Sequence, residues 1–169
     1  LPSAPDQVIS QRDAVVHIKS VTDIANTRAM GSGSDVHMKV FRRFRSEGNH
    51  EEQIYTTKII SSTLSPVFTD ELVRISVPTS EDEDIWSGLV VRFELWDIAT
   101  LDFLGCVVLK GEELHELVNH NDKSAFAKKE FPLVDLPIQK NSNSKSLIVG
   151  DEALSLIKGV LTVTGGYKS

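Results

Sequence analysis

The chain has 169 residues, a formal net charge of -6 and one cysteine. A chain of this length forms one domain with a sizeable core and needs no disulfide or structural metal. Its 40% hydrophobic and 25% charged residues are too apolar a mixture for disorder and too polar for membrane insertion. The negative charge excludes whole-molecule attraction to nucleic acid or anionic lipid, so phosphate binding would need a local patch or a bridging cation.

The N-terminal segment has neither a starting Met nor the basic-then-apolar order of a signal peptide. We therefore expect residues 1–12 to be a tail and the chain to be part of a longer polypeptide. Cys106 has no partner for an internal disulfide, and the chain contains no Asn-x-Ser/Thr sequon. These features predict a cytoplasmic domain, either free or peripheral at a membrane.

Short β-type runs dominate the chain. The first two, at 14–21 and 36–41, alternate apolar and polar residues, and further apolar or β-branched runs follow at 53–60, 71–77, 89–96 and 103–109. An acidic run at 81–84 indicates a solvated loop, and residues 111–119 predict a short helix with one apolar stripe. A weak strand at 131–134, a long loop at about 137–157 with a helical turn at 153–157, and a strand at 159–164 end the chain.

This order of elements predicts an all-β fold. We expect an eight-stranded antiparallel β-sandwich in a single domain over residues 13–169, with one or two short helical connectors. The loops of such a sandwich gather at its two ends, so binding residues are expected in them.

Three ordered motifs carry a family resemblance. Residues 34–40 read Ser-Asp-Val-His-Met-Lys-Val, and residues 57–71 read Thr-Lys-Ile-Ile-Ser-Ser-Thr-Leu-Ser-Pro-Val-Phe-Thr-Asp-Glu. They resemble Ser-Asp-Pro-Tyr-Val-Lys-Val and Thr-Lys…Thr-Leu-Asn-Pro-x-Trp-Asn-Glu of the C2 family. Residues 91–97, which end in Trp-Asp, and the Asp-Phe-Leu-Gly at 102–105 resemble the strands that flank the family's third loop. The resemblance covers about residues 13–165 and implies the permuted strand order of phosphoinositide-specific phospholipases C.

The resemblance also implies a calcium site between the first and third loops. The family's Asp ligands correspond to Ala29 and Asp35 in the first loop and to Asp97, Ala99 and Asp102 in the third. Calcium needs several oxygen ligands at once, and alanine supplies none. We therefore expect a degenerate site, weak or vestigial, and no required cofactor. Alternatively, the three aspartates pin their loops by accepting backbone hydrogen bonds.

Two further surfaces are implied. Many family members bind phosphoinositides with lysines on the concave sheet face, where this chain has Lys39 and Lys58 but also the apolar Phe41 and Ile54. Exposed apolar residues there would indicate a protein partner. The alternative is burial of these two side chains beneath the loop after Leu136.

The loops themselves carry apolar residues. Met30 in the first loop and Ile98 and Leu101 in the third are candidate membrane-dipping tips. Alternatively, these side chains pack loop against loop.

No catalytic motif occurs in the sequence. It contains neither a Gly-x-Ser-x-Gly elbow nor a phosphate-binding Gly-x-x-x-x-Gly-Lys loop, and its histidines are scattered rather than spaced for zinc. The sequence therefore predicts a non-catalytic targeting or interaction module, independent of calcium, that binds a protein partner or a phospholipid membrane and no nucleic acid. The alternative function is calcium-dependent binding of anionic phospholipid through the reduced site.

Overall fold

The computed structural model describes residues 9–24, 33–119, 127–135 and 157–167. Within these residues the chain forms nine β-strands and two short α-helices. The strands are β1 Gln11–Thr22, β2 Ser34–Phe44, β3 Glu51–Thr56, β4 Ile60–Thr63, β5 Leu72–Pro78, β6 Leu89–Asp97, β7 Asp102–Lys110, β8 Ala127–Pro132 and β9 Val160–Tyr167. The helices are α1 Glu83–Trp86, between β5 and β6, and α2 Gly111–Val118, between β7 and β8.

Two antiparallel sheets form the sandwich, which confirms the predicted fold class. One sheet has the strand order β5-β1-β9-β8, and the other has β3-β2-β6-β7 with β4 also paired to β2. The predicted strand at 53–60 is two strands, β3 and β4, so the count is nine rather than eight. Between them Thr57 Oγ1 accepts the Met38 N–H at 2.9 Å, and the Lys58 N–H is donated to Glu71 Oε2 at 2.9 Å, which interrupts the ladder with β2.

The core lies between the sheets and follows the two-residue period of the strands. Val36, Met38 and Val40 of β2 share the inner face, as predicted, and are fully buried. The neighbouring strands contribute further fully buried apolar side chains, among them Ile18, Ile75, Phe93, Leu95, Leu109 and Val163.

The helix α1 corrects the interpretation of the acidic run at 81–84 as a loop. Glu83 and Asp84 form its first turn, and Asp82 Oδ1 caps it by accepting the Asp84 N–H at 2.9 Å. Trp86 is buried at the end of α1, and its Nε1–H is donated to Ser80 O at 2.7 Å. The buried tryptophan and the N-terminal cap thus stabilise a helix in a segment whose charge alone predicts a solvated loop.

The helix α2 agrees with the predicted helix at 111–119 and buries the predicted stripe of Leu114, Leu117 and Val118. Its first residue, Gly111, approaches α1 so closely that a Cβ there would lie 1.8 Å from Trp86 O. The position therefore requires glycine, and this contact fixes the two helices against each other.

The ends of the chain differ from the predicted boundaries. β1 begins at Gln11, inside the predicted tail, and β8 begins at Ala127 rather than at 131. β8 is an edge strand, and charged residues are common at the edge of a sheet. The same charged residues weaken the apolar pattern by which a strand is predicted from the sequence. Ala29, Met30 and, apart from Ile157, the predicted helical turn at 153–157 and the loop at 137–157 lie outside the described residues.

The connections gather at two ends, as the fold predicts. The end that carries residues 57–59, 64–71 and 98–101 is called the loop end. The opposite end carries α1, α2 and the turn at 45–50, and is called the helix end.

Candidate functional site

A tight hairpin between β6 and β7 forms the described part of the third loop. Asp97 and Asp102 are paired at its base, and the Leu101 N–H is donated to Asp97 O at 2.8 Å. Leu101 has φ 63°, in the left-handed region, and its side chain is 72% exposed. Ile98, at the other shoulder of the hairpin, is 36% exposed. Two of the three predicted loop tips are therefore at the surface.

The three candidate calcium ligands accept hydrogen bonds from the third loop or from the neighbouring strand β4. Asp97 is fully buried, and its Oδ1 accepts the Ala99 N–H at 3.0 Å. Asp102 Oδ2 accepts the Thr100 hydroxyl at 2.8 Å, and Asp35 Oδ1 accepts the Ser62 N–H at 2.8 Å. The Ile98 N–H is donated to Asp35 O at 2.8 Å. The carboxylates thus shape the loop end.

The described donor set provides fewer side-chain oxygens than calcium takes in proteins. Among the described residues, no three His, Cys, Asp or Glu side chains are grouped so that they could hold a metal ion. Asp35, Asp97 and Asp102 each use one carboxylate oxygen to accept a hydrogen bond, and Ala99 contributes no side-chain oxygen.

Exposed apolar side chains are concentrated toward the loop end. Besides the hairpin residues Ile98 and Leu101, four large hydrophobic side chains in the described ranges are about half exposed or more: Ile59 51%, Val67 67%, Leu72 50% and Val134 47%. Ile59 and Val67 lie in loop-end connections, whereas Leu72 lies opposite His17, midway along β1. At the helix end, no described large hydrophobic side chain is exposed to this degree.

The outer face of the β3-β2-β6-β7 sheet carries the predicted residues Lys39 and Phe41. Strand register places the side chains of β2, β6 and β7 in four rows, which define the sheet face. From the loop end to the helix end these rows are His37, Trp96 and Phe103; Lys39, Glu94 and Cys106; Phe41, Arg92 and Val108; Arg43, Val90 and Lys110.

Arg92 is the centre of a polar network on the sheet face. Its Nη2–H is donated to Glu51 Oε1 at 2.8 Å and its Nε–H to Glu94 Oε2 at 2.7 Å. Glu94 is nearly buried and also accepts the Trp96 Nε1–H at 2.9 Å. The guanidinium of Arg92 lies 4.7 Å from the centroid of the Phe41 ring. The network holds two aromatic side chains in fixed positions.

The remaining predicted residues of this surface lie in different settings. Lys39 Nζ lies 5.7 Å from the Trp96 ring centroid, and Lys58 is exposed beside the junction of β3 and β4. Ile54 is partly buried and packs against the core, next to an irregularity in the pairing of β2 and β3. The Arg92 network was missed at the sequence level, although the alternation of 89–96 already places Arg92 and Glu94 on one face.

A buried carboxylate joins the two sheets near Lys58. Glu71 is 3% exposed, and it accepts the Tyr55 hydroxyl at 2.5 Å and the Lys58 N–H at 2.9 Å. Burial and the bond to Glu71 raise the pKa of Tyr55 to about 12. Burial also raises the pKa of the Cys106 thiol to about 11, which keeps it protonated and unreactive at neutral pH.

The family follows from a comparison with known sequences. The model described as "C2 domain" matches residues 12–127, from β1 to the start of β8. The chain belongs to the C2 domain family. No curated protein sequence matches it.

Solved C2 structures resemble the fold at low sequence identity. C2 domain A of plant Extended Synaptotagmin 1 is 16% identical with a TM-score of 0.53, over 93% of this chain and 94% of that one. The paired C2 domains A and B of Extended-Synaptotagmin 2 are 18% identical with a TM-score of 0.56, over 99% of this chain and 45% of that one. Human GIVD cytosolic phospholipase A2 is 12% identical with a TM-score of 0.58, over 95% of this chain and 18% of that one.

These likenesses show the fold alone. The chain spans less than half the length of the Extended-Synaptotagmin 2 and phospholipase A2 structures. No helix in the described ranges is both long and apolar enough to cross a bilayer.

Proposed function

We propose that this C2 domain is a non-catalytic targeting module that binds phospholipid membranes through its loop end without requiring calcium. The observation that carries the proposal is Leu101, which is 72% exposed and held at φ 63°. A leucine in the left-handed region costs about 1–2 kcal/mol relative to the right-handed region. Because the side chain is so exposed, its packing within the protein offsets little of this backbone cost. Burial of the side chain in lipid would offset it.

The neighbouring residues support the same surface. Ile98 lies across the hairpin from Leu101, and Ile59 and Val67 add apolar area in the adjoining connections. Apolar loop tips bury their area at the boundary between headgroups and acyl chains, where backbone groups remain solvated. The chain's charge of -6 opposes approach to anionic lipid, so the apolar contact has to supply the binding energy.

The proposal includes a degenerate calcium site. The carboxylates of Asp35, Asp97 and Asp102 accept hydrogen bonds from Ser62, Ala99 and Thr100, and these bonds already orient the loops. Calcium-dependent binding of anionic phospholipid is the alternative, and it requires that an ion be held by the remaining carboxylate oxygens of these three residues.

We also assign the domain to the permuted C2 topology. The strand order supports this, because β9, the last described strand, is inserted between β1 and β8. The domain is proposed to act in the cytoplasm as part of a longer parent polypeptide.

Protein recognition by the sheet face is the second candidate function. It is favoured by the Arg92 network, which fixes Phe41 and Trp96 at the surface before any ligand binds. Rigid aromatic and arginine side chains are the residue types that dominate protein interfaces.

The test of membrane binding is sedimentation with phosphatidylcholine and phosphatidylserine vesicles in a calcium chelator. Leu101→Glu is expected to abolish sedimentation, because it places a charge in the apolar contact. Leu72→Glu is the matched control, since Leu72 is 50% exposed but lies midway along the sandwich. Equal losses for both variants, or no binding by the unaltered domain with or without calcium, would contradict the proposal.

A further inference from the structure

The sheet face differs in charge from the rest of the domain. Its four rows and the adjoining Glu51 contain four cationic side chains and two carboxylates, so its formal charge is +2 while the chain carries -6. Burial, together with the charge of Lys39, lowers the pKa of His37, which therefore adds no charge at neutral pH. The face is a local basic area on an acidic molecule.

The cations on this face fall into two groups. Arg92 is engaged by Glu51 and Glu94 and serves the network. Lys39, Arg43 and Lys110 form no ion pair with any other described residue. Arg43 and Lys110 lie in the row nearest the helix end, and Lys39 lies between the two rows that carry aromatic side chains. With no described carboxylate paired to them, the three cations are available for an incoming anion.

Half-buried apolar side chains lie on both sides of Lys39. Phe41 and Val108 flank Arg92, and Trp96 contacts Phe103 edge-on with 5.2 Å between the ring centroids. The Arg92 network fixes the aromatic rings, so little side-chain entropy is lost when a ligand covers them.

We propose that the sheet face binds an extended, acidic segment of a partner protein that also carries apolar residues. The proposal rests on the second candidate function and specifies its partner. The apolar side chains of the segment cover Phe41, Val108 and Trp96, and its carboxylates reach Lys39, Arg43 and Lys110. An extended segment suits a sheet surface because alternate side chains can reach successive rows.

A lipid headgroup fits this face less well. A multiply charged phosphate group would approach Glu51 and Glu94 together with the lysines, and three of the five N–H donors of Arg92 are already bonded to those carboxylates. Acidic side chains spaced along a peptide can instead reach Lys39, Arg43 and Lys110 separately, while apolar residues of the peptide cover the neighbouring apolar rows.

The experiment is selection of a random-peptide phage library on the whole domain, with counter-selection on the double variant Arg43→Glu, Lys110→Glu. Both side chains are exposed, so the double variant is expected to fold. Arg74→Glu is the matched control, an exposed arginine on a strand of the other sheet. Selected peptides are then synthesised with Gln in place of Asp and Glu, and their Kd is measured by fluorescence anisotropy.

The expected peptides are acidic and apolar, and their Kd rises about tenfold in the double variant and in the Gln form but not in Arg74→Glu. Peptides that lose affinity in the double variant but contain no acidic residues would refute the proposed acidic ligand, while protein recognition by the sheet face would still be supported. If no selected peptide binds the double variant more weakly than the unaltered domain, both the proposed acidic ligand and protein recognition by the sheet face are refuted. Binding to phosphatidylinositol bisphosphate vesicles that the double variant loses would assign the face to lipid and overturn the proposal.

Discussion

The substitution Leu101→Asn is predicted to stabilise the domain while weakening its binding to membranes. Asparagine adopts the left-handed region far more readily than leucine, so relief at φ 63° is expected to raise the free energy of unfolding by about 1 kcal/mol. The leucine side chain is 72% exposed, so its removal costs little packing. Few substitutions of an apolar residue by a polar one increase the free energy of unfolding.

The effect on membrane binding follows from the same exposure. Full burial of a leucine side chain contributes about 1.5–3 kcal/mol. Because 72% of Leu101 is exposed, contact with lipid can add about 1–2 kcal/mol, which corresponds to an about five- to thirtyfold change in vesicle partitioning. One substitution thus moves stability and binding in opposite directions.

Urea unfolding and vesicle sedimentation measure the two quantities. The control is Leu72→Asn, a half-exposed leucine in a strand, where we expect a small loss of stability and unchanged sedimentation. A loss of stability in Leu101→Asn would show that Leu101 packs against the protein. Unchanged sedimentation of this variant would remove Leu101 from the membrane contact.

Three further predictions concern the framework and the buried thiol. Glu71→Ala should lower the free energy of unfolding by about 2–4 kcal/mol in urea titrations, because the Tyr55 hydroxyl and the partly buried Lys58 N–H lose their acceptor; a loss well below 1 kcal/mol would contradict this role. The pKa of Tyr55 is raised to about 12, so the contribution of its protonated hydroxyl to stability is complete below pH 10 and is lost as the pH rises toward 12. In an ultraviolet titration of phenolate, the step near pH 12 should be absent from Tyr55→Phe. Cys106 should react with a thiol reagent in urea and not in the native state, and rapid native labelling would show that β7 opens.

Much of the fold can be predicted because it depends on short-range periodicity. The alternation of Val36, Met38 and Val40 fixes the inner face of β2, and the apolar stripe of 111–119 fixes the buried side of α2. The motif at 57–71 ends in Glu71, whose bonds join the two sheets. Prediction fails at α1, where a buried Trp86 outweighs the acidic composition of the first turn.

The candidate site is harder to predict because it depends on register and backbone geometry. The pairing of Arg92 with Glu51 spans two neighbouring strands and requires the alignment of β3, β2 and β6. The left-handed conformation of Leu101 follows from the length of the hairpin and has no apolar or polar signature. Ile54 packs against the core beside a register shift that simple alternation does not anticipate.

Calcium titration of vesicle binding tests the central claim most directly. The domain is incubated with phosphatidylserine-containing vesicles, first in chelator and then with calcium raised to about 1 mM, a range that covers intracellular sensors and weak sites. The proposal predicts equal sedimentation throughout, sensitivity to Leu101→Glu and none to Asp102→Asn. Sedimentation that appears only with calcium and is lost in Asp102→Asn would contradict it and establish the aspartates of the loop end as a calcium switch.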